Sequence, residues 1–547
     1  MSGIFSRCAR QPPSDNPGRT MLLKRTLVLL AAIVLALAGC KQRTGGAPTT
    51  FIFAHGSDVQ KLDPADIDDG ESVNTIAQVM EGLVRFRDGT FEIEPCLAES
   101  WTIAPDGLIY TFRIREGVRF HDGTPLDAEA ARYSFARQMD PAHPAHLPQA
   151  NFQYWNYLYQ EVAAVEATDA RTVVFRLSRP NASLLASLAI FPAWLVSPNT
   201  LAAHGAADFQ RHAIGTGPYK FASWTPNQAL VLEGNADYWD RSAPPQFERI
   251  VMKVVPENTV RLLELRAGTV HGIDGLQPAE LAGLRDDPNL RVHAEPGMNV
   301  GYLAWNLDNP KFAEPEVRRA FAMAINLEEL QQVALDGSGT IARLPIPPGF
   351  LGDVGQPRAV EYNPDEARRI LAKYADRWKE PVTLHVMSAP RAYLPEPVKG
   401  ASLIRAALER VGVRVEIVAK DFKTHLDITR DGTFEMAILG WVGDNGDSDN
   451  FLSIFFGSWA AVKGAATNIS FYRNAEMDRL LLAARAEVDT ARRADLYRQA
   501  LELWRRDLPI FPFLHGDNIA VMRREVTGFK LQGTGELRLG AIGWAHE

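Results

Sequence analysis

The chain has 547 residues, 46% of them hydrophobic and 23% charged, which is typical of a globular protein. This length exceeds one ordinary hydrophobic core and predicts two or three domains. The formal net charge of -8 argues against a nucleic-acid-binding protein, because binding phosphates requires a concentrated basic surface.

The N-terminal region carries the features of an export signal. A short basic start from Met21 precedes an unbroken apolar run from Leu27 to Ala38. That run is too short to span a bilayer comfortably but suits the apolar region of a signal peptide. It ends in Leu-Ala-Gly-Cys40, which resembles a bacterial lipobox. We therefore predict a lipoprotein signal peptide at 21–39 with lipid on Cys40, the alternative being a signal anchor with an unrelated cysteine. Residues 1–20 are interpreted as an upstream extension.

Cleavage before Cys40 would leave Cys96 as the only other cysteine of the mature chain. No internal disulfide would then be available, and Cys96 is predicted to pack as a small apolar residue. Residues 40–50 contain two glycines and a proline and predict a flexible tether.

From Thr50 onward, strand and helix patterns alternate. Alternating apolar and polar residues predict strands at 110–115, 172–177 and 248–255. Helical periodicity predicts one helix that ends near Gly268. Two more helices are predicted to open at Pro315 and Pro364, because proline is tolerated in the first turn of a helix.

The segment from 381 to 450 gives the clearest pattern. Strands are predicted at 382–387, 413–417 and 434–441, with helical stretches at 403–411 and 422–428 between them. Strand-helix-strand spacing of this kind predicts parallel pairing in an α/β sheet. Ligands on such open sheets usually lie beyond the carboxyl ends of the strands.

Two charged residues occupy that position. Arg391 follows the first of these strands and Asp444 follows the third. A guanidinium suits a carboxylate and a carboxylate suits an ammonium group, so the pair would recognise a small zwitterion. Because two residues of extended chain span at most about 7 Å, a fixed Arg and Asp would measure peptide length. The alternative is that both are solvated loop charges.

The sequence gives little support for a metal site or for catalysis. Asp447 and Asp449 near Asp444 suggest calcium, but no Glu closes a twelve-residue loop. His143 and His146 lie among prolines, where a surface loop is favoured over a metal site. There is no Gly-x-Ser-x-Gly, His-Glu-x-x-His or Walker motif, so we predict a protein that is not an enzyme and has no metal or cofactor.

A series of short motifs indicates a family. In order along the chain these are Val79-Met-Glu-Gly-Leu-Val, Leu97-Ala-Glu-Ser-Trp, Gly117-Val-Arg-Phe-His-Asp-Gly, Gly215-Thr-Gly-Pro-Tyr, Asp237-Tyr-Trp, Val317-Arg-Arg-Ala-Phe and the Gly440-to-Phe451 loop. Nearly all of the mature chain resembles the bacterial extracellular solute-binding proteins of family 5, the peptide- and nickel-binding group. The segments that start at Gly297 and Gly440 resemble its dipeptide-binding branch most.

The resemblance implies an α/β, two-lobed periplasmic binding protein fold (type II, cluster C) with a hinged ligand cleft. We expect lobe I at 51–296 plus 515–547, with an extra subdomain at about 91–211, and lobe II at 297–514. The resemblance also implies a monomer in the periplasm, membrane-anchored by the lipid on Cys40, that delivers short peptides to an ABC permease and ATPase complex.

The resemblance assigns roles to site residues as well. Asp444 would hold the peptide ammonium and Arg391 its carboxylate. Tyr393, Phe422 and Trp441 fall where aromatic residues would line side-chain pockets, with ordinary core packing as the alternative. The same scaffold hosts other ligands, so longer peptides, glutathione, haem or a nickel chelate remain alternatives, and an exported hydrolase is the competing class.

The sequence departs from the dipeptide-binding pattern in three respects. The mature chain has no cysteine pair, Ala392 replaces a common proline, and Ser448 replaces a proline of the aspartate loop. These departures concern the loop shapes and the ligand preference, and they leave the fold unaffected.

Overall fold

The computed structural model describes residues 49–147, 150, 152–209, 211–276 and 278–545. The predicted signal peptide, Cys40 and nearly all of the predicted tether lie outside these residues. Across the described part, every helix is too short or too polar to traverse a bilayer.

The strands of the described chain are β1 (Thr50–His55), β2 (Val84–Phe86), β3 (Ile93–Pro95), β4 (Ala98–Ile103), β5 (Ile109–Ile114), β6 (Val162–Asp169), β7 (Thr172–Leu177), β8 (Tyr219–Thr225), β9 (Ala229–Gly234), β10 (Arg249–Val254), β11 (Gly272–Asp274), β12 (Leu290–Pro296), β13 (Asn299–Trp305), β14 (Thr340–Ile341), β15 (Val382–Met387), β16 (Val415–Lys420), β17 (Met436–Val442), β18 (Ile510–His515), β19 (Asp517–Arg523), β20 (Val526–Thr527) and β21 (Gly543–Trp544).

The α-helices are α1 (Gly70–Ile76), α2 (Ala128–Met139), α3 (Gln153–Leu158), α4 (Leu184–Leu188), α5 (Pro198–Phe209), α6 (Asn258–Ala267), α7 (Ala282–Arg285), α8 (Pro315–Met323), α9 (Leu327–Leu335), α10 (Pro364–Ala372), α11 (Pro397–Arg410), α12 (Phe422–Asp431), α13 (Asp449–Phe456), α14 (Ala475–Ala486) and α15 (Thr490–Asp507).

Two large sheets organise these elements, and each sheet lies in its own lobe. The first lobe is built on the order β12-β19-β11-β1-β10-β9-β8, and the second lobe on β14-β18-β13-β17-β15-β16. A further sheet of order β4-β5-β7-β6 lies within the chain segment of the predicted extra subdomain. Each lobe has its own large buried apolar cluster. The predicted two-lobed α/β fold is confirmed, while the residue bounds of the lobes stay a prediction.

The sequence-predicted elements agree with the structure to within a few residues in most cases. The strand at 382–387 and the strand at 172–177 have the predicted bounds. Gly268 closes α6 with a left-handed φ of 74°, and the Asn363 side chain caps α10 by accepting from the Glu366 N–H. Helix α11 begins six residues before the predicted 403, because Pro397 opens it at the first turn.

Parallel pairing in the second lobe also follows the prediction. β15 pairs in parallel with both β16 and β17. The neighbouring strand β13 runs antiparallel to β17. The carboxyl ends of β15 and β17 therefore lie at the same edge of the sheet as the start of β13, at Asn299.

That edge is where the chain crosses between the lobes. β12 ends in the first sheet and β13 begins in the second, while β18 ends in the second and β19 begins in the first. Asn299 ties the two crossings together: its amide donates to the Gly516 carbonyl (2.9 Å), and its Oδ1 accepts from the Gly516 N–H (2.8 Å). Two short crossings joined in this way are suited to a hinge.

Cys96 is buried in the first lobe and is a free thiol. Its Sγ lies 3.8 Å from Oε1 of Glu81. Burial raises the pKa of this thiol. It therefore packs as the small apolar residue that the sequence predicts.

Candidate ligand-binding site

Arg391 lies on a tight turn just beyond the carboxyl end of β15. The turn is closed by two backbone hydrogen bonds between residues 391 and 394, at 3.2 and 2.9 Å. The guanidinium carbon lies 3.8 Å from the centroid of the Phe422 ring, at the start of α12. Since Asp421 caps α12 through the Thr424 N–H, the position of this ring is fixed by the helix start. Phe422 thus provides a platform that orients Arg391 by a cation–π contact.

The same turn is fixed from beneath by Tyr393. Its side chain is buried in the second lobe, and its ring covers Gly440 of β17 so closely that a Cβ there would lie 2.5 Å from ring atoms. On the other side of the turn, a Cβ at Gly516 would lie only 1.9 Å from the Ala392 carbonyl oxygen. The turn that carries Arg391 is therefore held directly against the hinge.

Asp444 lies beyond the end of β17, next to Asn450 at the start of α13. The Asn450 Oδ1 accepts from the Asp444 N–H at 2.8 Å and from the Trp441 indole at 3.3 Å. The Asn450 amide donates to the Asp444 carboxylate and to the Tyr157 hydroxyl, both at 3.3 Å. One asparagine thus orients the candidate aspartate, a candidate aromatic residue and a tyrosine of the first lobe.

The three aspartates of this loop differ in their ion-pair partners. Asp447 forms a bidentate ion pair with Arg493 at 2.6 and 2.8 Å, and both side chains are buried. Asp449 pairs with Arg485 at 2.9 Å. Among the described residues, no cation forms an ion pair with Asp444. Burial raises its pKa to about 6, and the hydrogen bond from Asn450 offsets only part of that rise. Within the described chain, Asp444 is therefore the carboxylate of this loop that lacks a countercharge.

Two tyrosines of α3, in the first lobe, lie near Asp444. The negative charge of Asp444 contributes to raising the pKa of both Tyr154 and Tyr157, after the larger effect of burial. Tyr157 contacts the loop through Asn450, and Asn445 donates to the Ser187 hydroxyl at 2.9 Å. The loop that carries Asp444 is thus in direct contact with both lobes, as a closing cleft requires.

Arg391 opens into a cavity of about 370 Å³ between the lobes. The second lobe contributes Arg391 and Ser338, and the first lobe contributes Asp274, Asn518 and Leu537 among others. The pKa of Asp274 is raised to about 7 by burial and by the nearby charge of Glu71. No carboxylate of the described chain pairs with Arg391. Its guanidinium is therefore available to an anionic group in this cavity.

A second cavity, of about 560 Å³, lies beside the Asp444 loop. Its walls again come from both lobes and include Tyr157, Ser187, Asn445 and Asn450. Arg391 lines the first cavity and not the second, although both candidate charges lie at one edge of the second sheet. Asp444 itself is not among the lining residues of either cavity.

The three candidate aromatic residues occupy different environments. Phe422 is 40% exposed beneath Arg391. Trp441 is partly buried and donates to Asn450. Tyr393 packs within the core. A direct contact between any of these rings and a ligand stays a prediction, while their support of the two charged loops is visible in the geometry.

A comparison with protein-family models identifies the family. Residues 92–462 match the family described as bacterial extracellular solute-binding proteins, family 5 Middle. This match spans more than half of the chain. The chain belongs to family 5 of the bacterial extracellular solute-binding proteins.

Relatives within family 5 differ in the ligands that their names record. The chain is 32% identical to heme-binding protein A of Haemophilus influenzae, over 93% of this chain and 97% of the relative. It is 29% identical to di/tripeptide-binding protein 1 of Pseudomonas aeruginosa, over 94% and 98%. A solved dipeptide binding protein from a Pseudoalteromonas species, in complex with Met-Leu, is 26% identical with a TM-score of 0.72, over 91% of this chain and 100% of that one.

Several residues of the family-5 cleft escape recognition from the sequence. Tyr154 and Tyr157, Ser187 and Asp274 come from the first lobe, far from Arg391 and Asp444 along the chain. Nothing in their local sequence distinguishes them from surface residues. Asn450 lies only six residues after Asp444, and a helix-start asparagine after an aspartate loop is a signal that the sequence does offer.

Proposed function

We propose that this chain is the periplasmic substrate-binding lipoprotein of an ABC importer and that it captures dipeptides. Asp444 would hold the peptide ammonium, and Arg391 would hold its terminal carboxylate. The lipid on Cys40 would anchor the protein to the membrane. An ABC permease and ATPase complex would receive the peptide.

The observation that carries this proposal is the absence of a countercharge on Asp444 among the described residues. Asp447 and Asp449, in the same loop, each have an arginine partner. A partly buried carboxylate without a cation is unfavourable, and an ammonium group of a ligand would relieve that cost. Arg391 offers the complementary charge at the same edge of the sheet. The names of the di/tripeptide- and dipeptide-binding relatives support the same ligand class.

Closure of the lobes would complete the site. A ligand favours the closed form only by binding it better than the open form. Tyr157 and Ser187 of the first lobe contact the Asp444 loop, and Asp274 faces the Arg391 cavity. A peptide between the lobes would therefore gain contacts from both, and exclusion of water would strengthen its two charge interactions.

Haem is the second candidate ligand. The relative named heme-binding protein A is 32% identical to this chain. Haem carries carboxylates that suit Arg391, and tyrosine is a known haem-iron ligand, with Tyr157 lining the larger cavity between the lobes. This alternative predicts binding without any need for a ligand ammonium group.

Blocked peptides distinguish these proposals. We expect free Met-Leu to raise the unfolding temperature of the full chain, by an amount equivalent to about 2.7 kcal/mol at a concentration 100 times its dissociation constant. N-acetyl-Met-Leu and Met-Leu-amide should each give a much smaller shift, because each lacks one of the two charges. The measurement is differential scanning fluorimetry across all three ligands.

The controls identify the other outcomes. Equal shifts with both blocked forms would contradict the zwitterion model. Saturable Soret absorbance on titration with haem, without any shift from Met-Leu, would establish haem as the ligand. Release of free methionine and leucine during incubation would indicate a hydrolase instead of a binding protein.

Lipid attachment gives a separate prediction. In cells fed a radiolabelled fatty acid, we expect the chain to incorporate label and partition with the membrane fraction. Cys40→Ser should abolish both, because the thiol is the acceptor of the lipid, while Cys96→Ser should leave labelling unchanged. Labelling of the Cys40→Ser protein would contradict the assignment.

A further inference from the structure

Two histidines and an aspartate cluster at the end of α5 in the first lobe. His204 and Asp208 are four residues apart, so they lie on one face of the helix, and His212 follows after the helix ends. The nearest ligand atoms of the three side chains all lie within 4.8 Å of one another. Neither the proposed peptide site nor its hinge uses any of these residues.

The spacing of the three groups is close to that of a metal centre. His204 Nδ1 lies 4.0 Å from Asp208 Oδ2, and His212 Nδ1 lies 3.5 Å from the same oxygen. Zinc bonds to nitrogen and oxygen are about 2.0–2.2 Å long, which places tetrahedral ligands about 3.4 Å apart. The Asp208–His212 separation is already about that value, whereas the Asp208–His204 separation would have to shorten by about 0.6 Å.

The two histidine rings lie face to face. The rings of His204 and His212 stack with centroids 4.1 Å apart and planes 5° from parallel. The His212 ring also contacts Phe221 on the edge strand β8, with centroids 6.0 Å apart. Its Nδ1 lies 3.0 Å from the Asp208 carbonyl, an interaction that a metal bound at this nitrogen would replace. The Phe221 contact limits the freedom of His212, but an imidazole binds a metal in the plane of its ring, so the two stacked rings would have to tilt toward a common ion on binding.

The neighbouring charges also favour a cation. In the described part of the chain, the ion-pair partners of Asp208 are these two histidines. The adjacent cation, Arg211, lies over the Trp224 ring at 5.8 Å. A divalent metal would therefore meet one carboxylate and two imidazoles.

We propose that His204, Asp208 and His212 bind a divalent transition-metal ion of the zinc, copper, nickel and cobalt class. Two imidazole nitrogens with one carboxylate oxygen suit these ions, whereas calcium and magnesium prefer a set of oxygens. Three protein ligands leave the fourth position to water or to a small ligand. The three side chains are 31%, 52% and 33% exposed, so the ion would exchange readily with solvent.

Titration with Zn²⁺ tests the site. We expect the untagged full chain to bind one Zn²⁺ by isothermal titration calorimetry at pH 7.5. His204→Ala, His212→Ala and Asp208→Asn should each weaken binding by at least about tenfold, because each removes a direct ligand. Co²⁺ bound in place of Zn²⁺ should show the visible absorption of a four-coordinate centre, and this absorption should disappear in the same variants.

His143→Ala is the matched control, since His143 is a partly exposed histidine of the same lobe that lies outside the cluster. It should bind Zn²⁺ as the wild type does. Far-ultraviolet circular dichroism would establish that every variant is folded. The proposal is overturned if the wild type binds no Zn²⁺, or if the cluster variants bind it as tightly as His143→Ala. In that case Asp208 would only interact with the two histidines at the end of α5, without a metal.

Discussion

Asp444→Ala should weaken dipeptide binding by about 30- to 5,000-fold, which corresponds to a loss of about 2–5 kcal/mol. Removal of the carboxylate leaves the ligand ammonium buried beside Tyr154 and Tyr157 without a countercharge. Calorimetry with Met-Leu measures this loss. Asp376→Ala is a suitable control, because Asp376 is a highly exposed aspartate of the same lobe that forms only a surface ion pair.

The same substitution should not destabilise the protein. Burial raises the pKa of Asp444 in the folded state above its usual value, so the ionised form is less favourable in the folded than in the unfolded chain. At pH 7 removal of the carboxylate should leave the unfolding midpoint unchanged or raise it. A folded Asp444→Ala variant that binds Met-Leu as tightly as the wild type would exclude Asp444 from the site.

The raised pKa also gives dipeptide binding a pH dependence. Capture of an ammonium group requires an ionised Asp444, whose pKa in the free protein is about 6. Binding should be strongest above about pH 7 and should weaken as the pH falls through 6. Below that value the loss should approach tenfold per pH unit, since each pKa unit is worth about 1.36 kcal/mol. Asp444→Asn should remove the pH dependence of dipeptide binding. The same titration of Asp274→Asn would measure how much the carboxyl group in the Arg391 cavity contributes to it.

Arg493→Ala should lower the free energy of unfolding by about 3–5 kcal/mol. It leaves Asp447 buried without its bidentate partner, and it also removes the hydrogen bonds from Arg493 to the Ala484 carbonyl and the Tyr497 hydroxyl. Urea denaturation followed by tryptophan fluorescence measures the shift. Because Asp447 lies three residues after Asp444, dipeptide binding should weaken as well.

A surface ion pair provides the matched control for this prediction. Arg479 and Glu476 form an ion pair at 2.7 Å within α14, but both side chains are more than half exposed. Arg479→Ala should therefore cost only about 0–1 kcal/mol. If Arg493→Ala costs no more than Arg479→Ala, the buried pair does not hold the Asp444 loop.

Local sequence is sufficient to predict much of the second lobe. Regular spacing of apolar residues places β15, β16 and β17 on the chain, and helices between them require parallel pairing. The carboxyl ends of β15 and β17 then have to lie at one edge, so the sequence alone places Arg391 and Asp444 at that edge. The start of α11 is not predicted correctly: the helix begins at Pro397, a first-turn proline like those that open α8 and α10.

The partners of each charge cannot be read from the sequence. Asp444, Asp447 and Asp449 are the same residue type in one loop, so the sequence does not distinguish them. In the structure, Arg485 on α14 pairs with Asp449 and Arg493 on α15 pairs with Asp447. Likewise, the cluster of His204, Asp208 and His212 depends on how the chain turns after α5, whereas the more obvious pair, His143 and His146, is not part of that cluster.

The sequence by itself therefore determined the family, the α/β architecture and the edge of the sheet that carries the candidate site. These features depend on the order and periodicity of nearby residues. Only the tertiary structure decided which aspartate of the described chain is left without a countercharge, and which first-lobe residues cover it. These features depend on contacts between residues hundreds of positions apart, such as Tyr157 with Asn450, and no local pattern encodes such contacts.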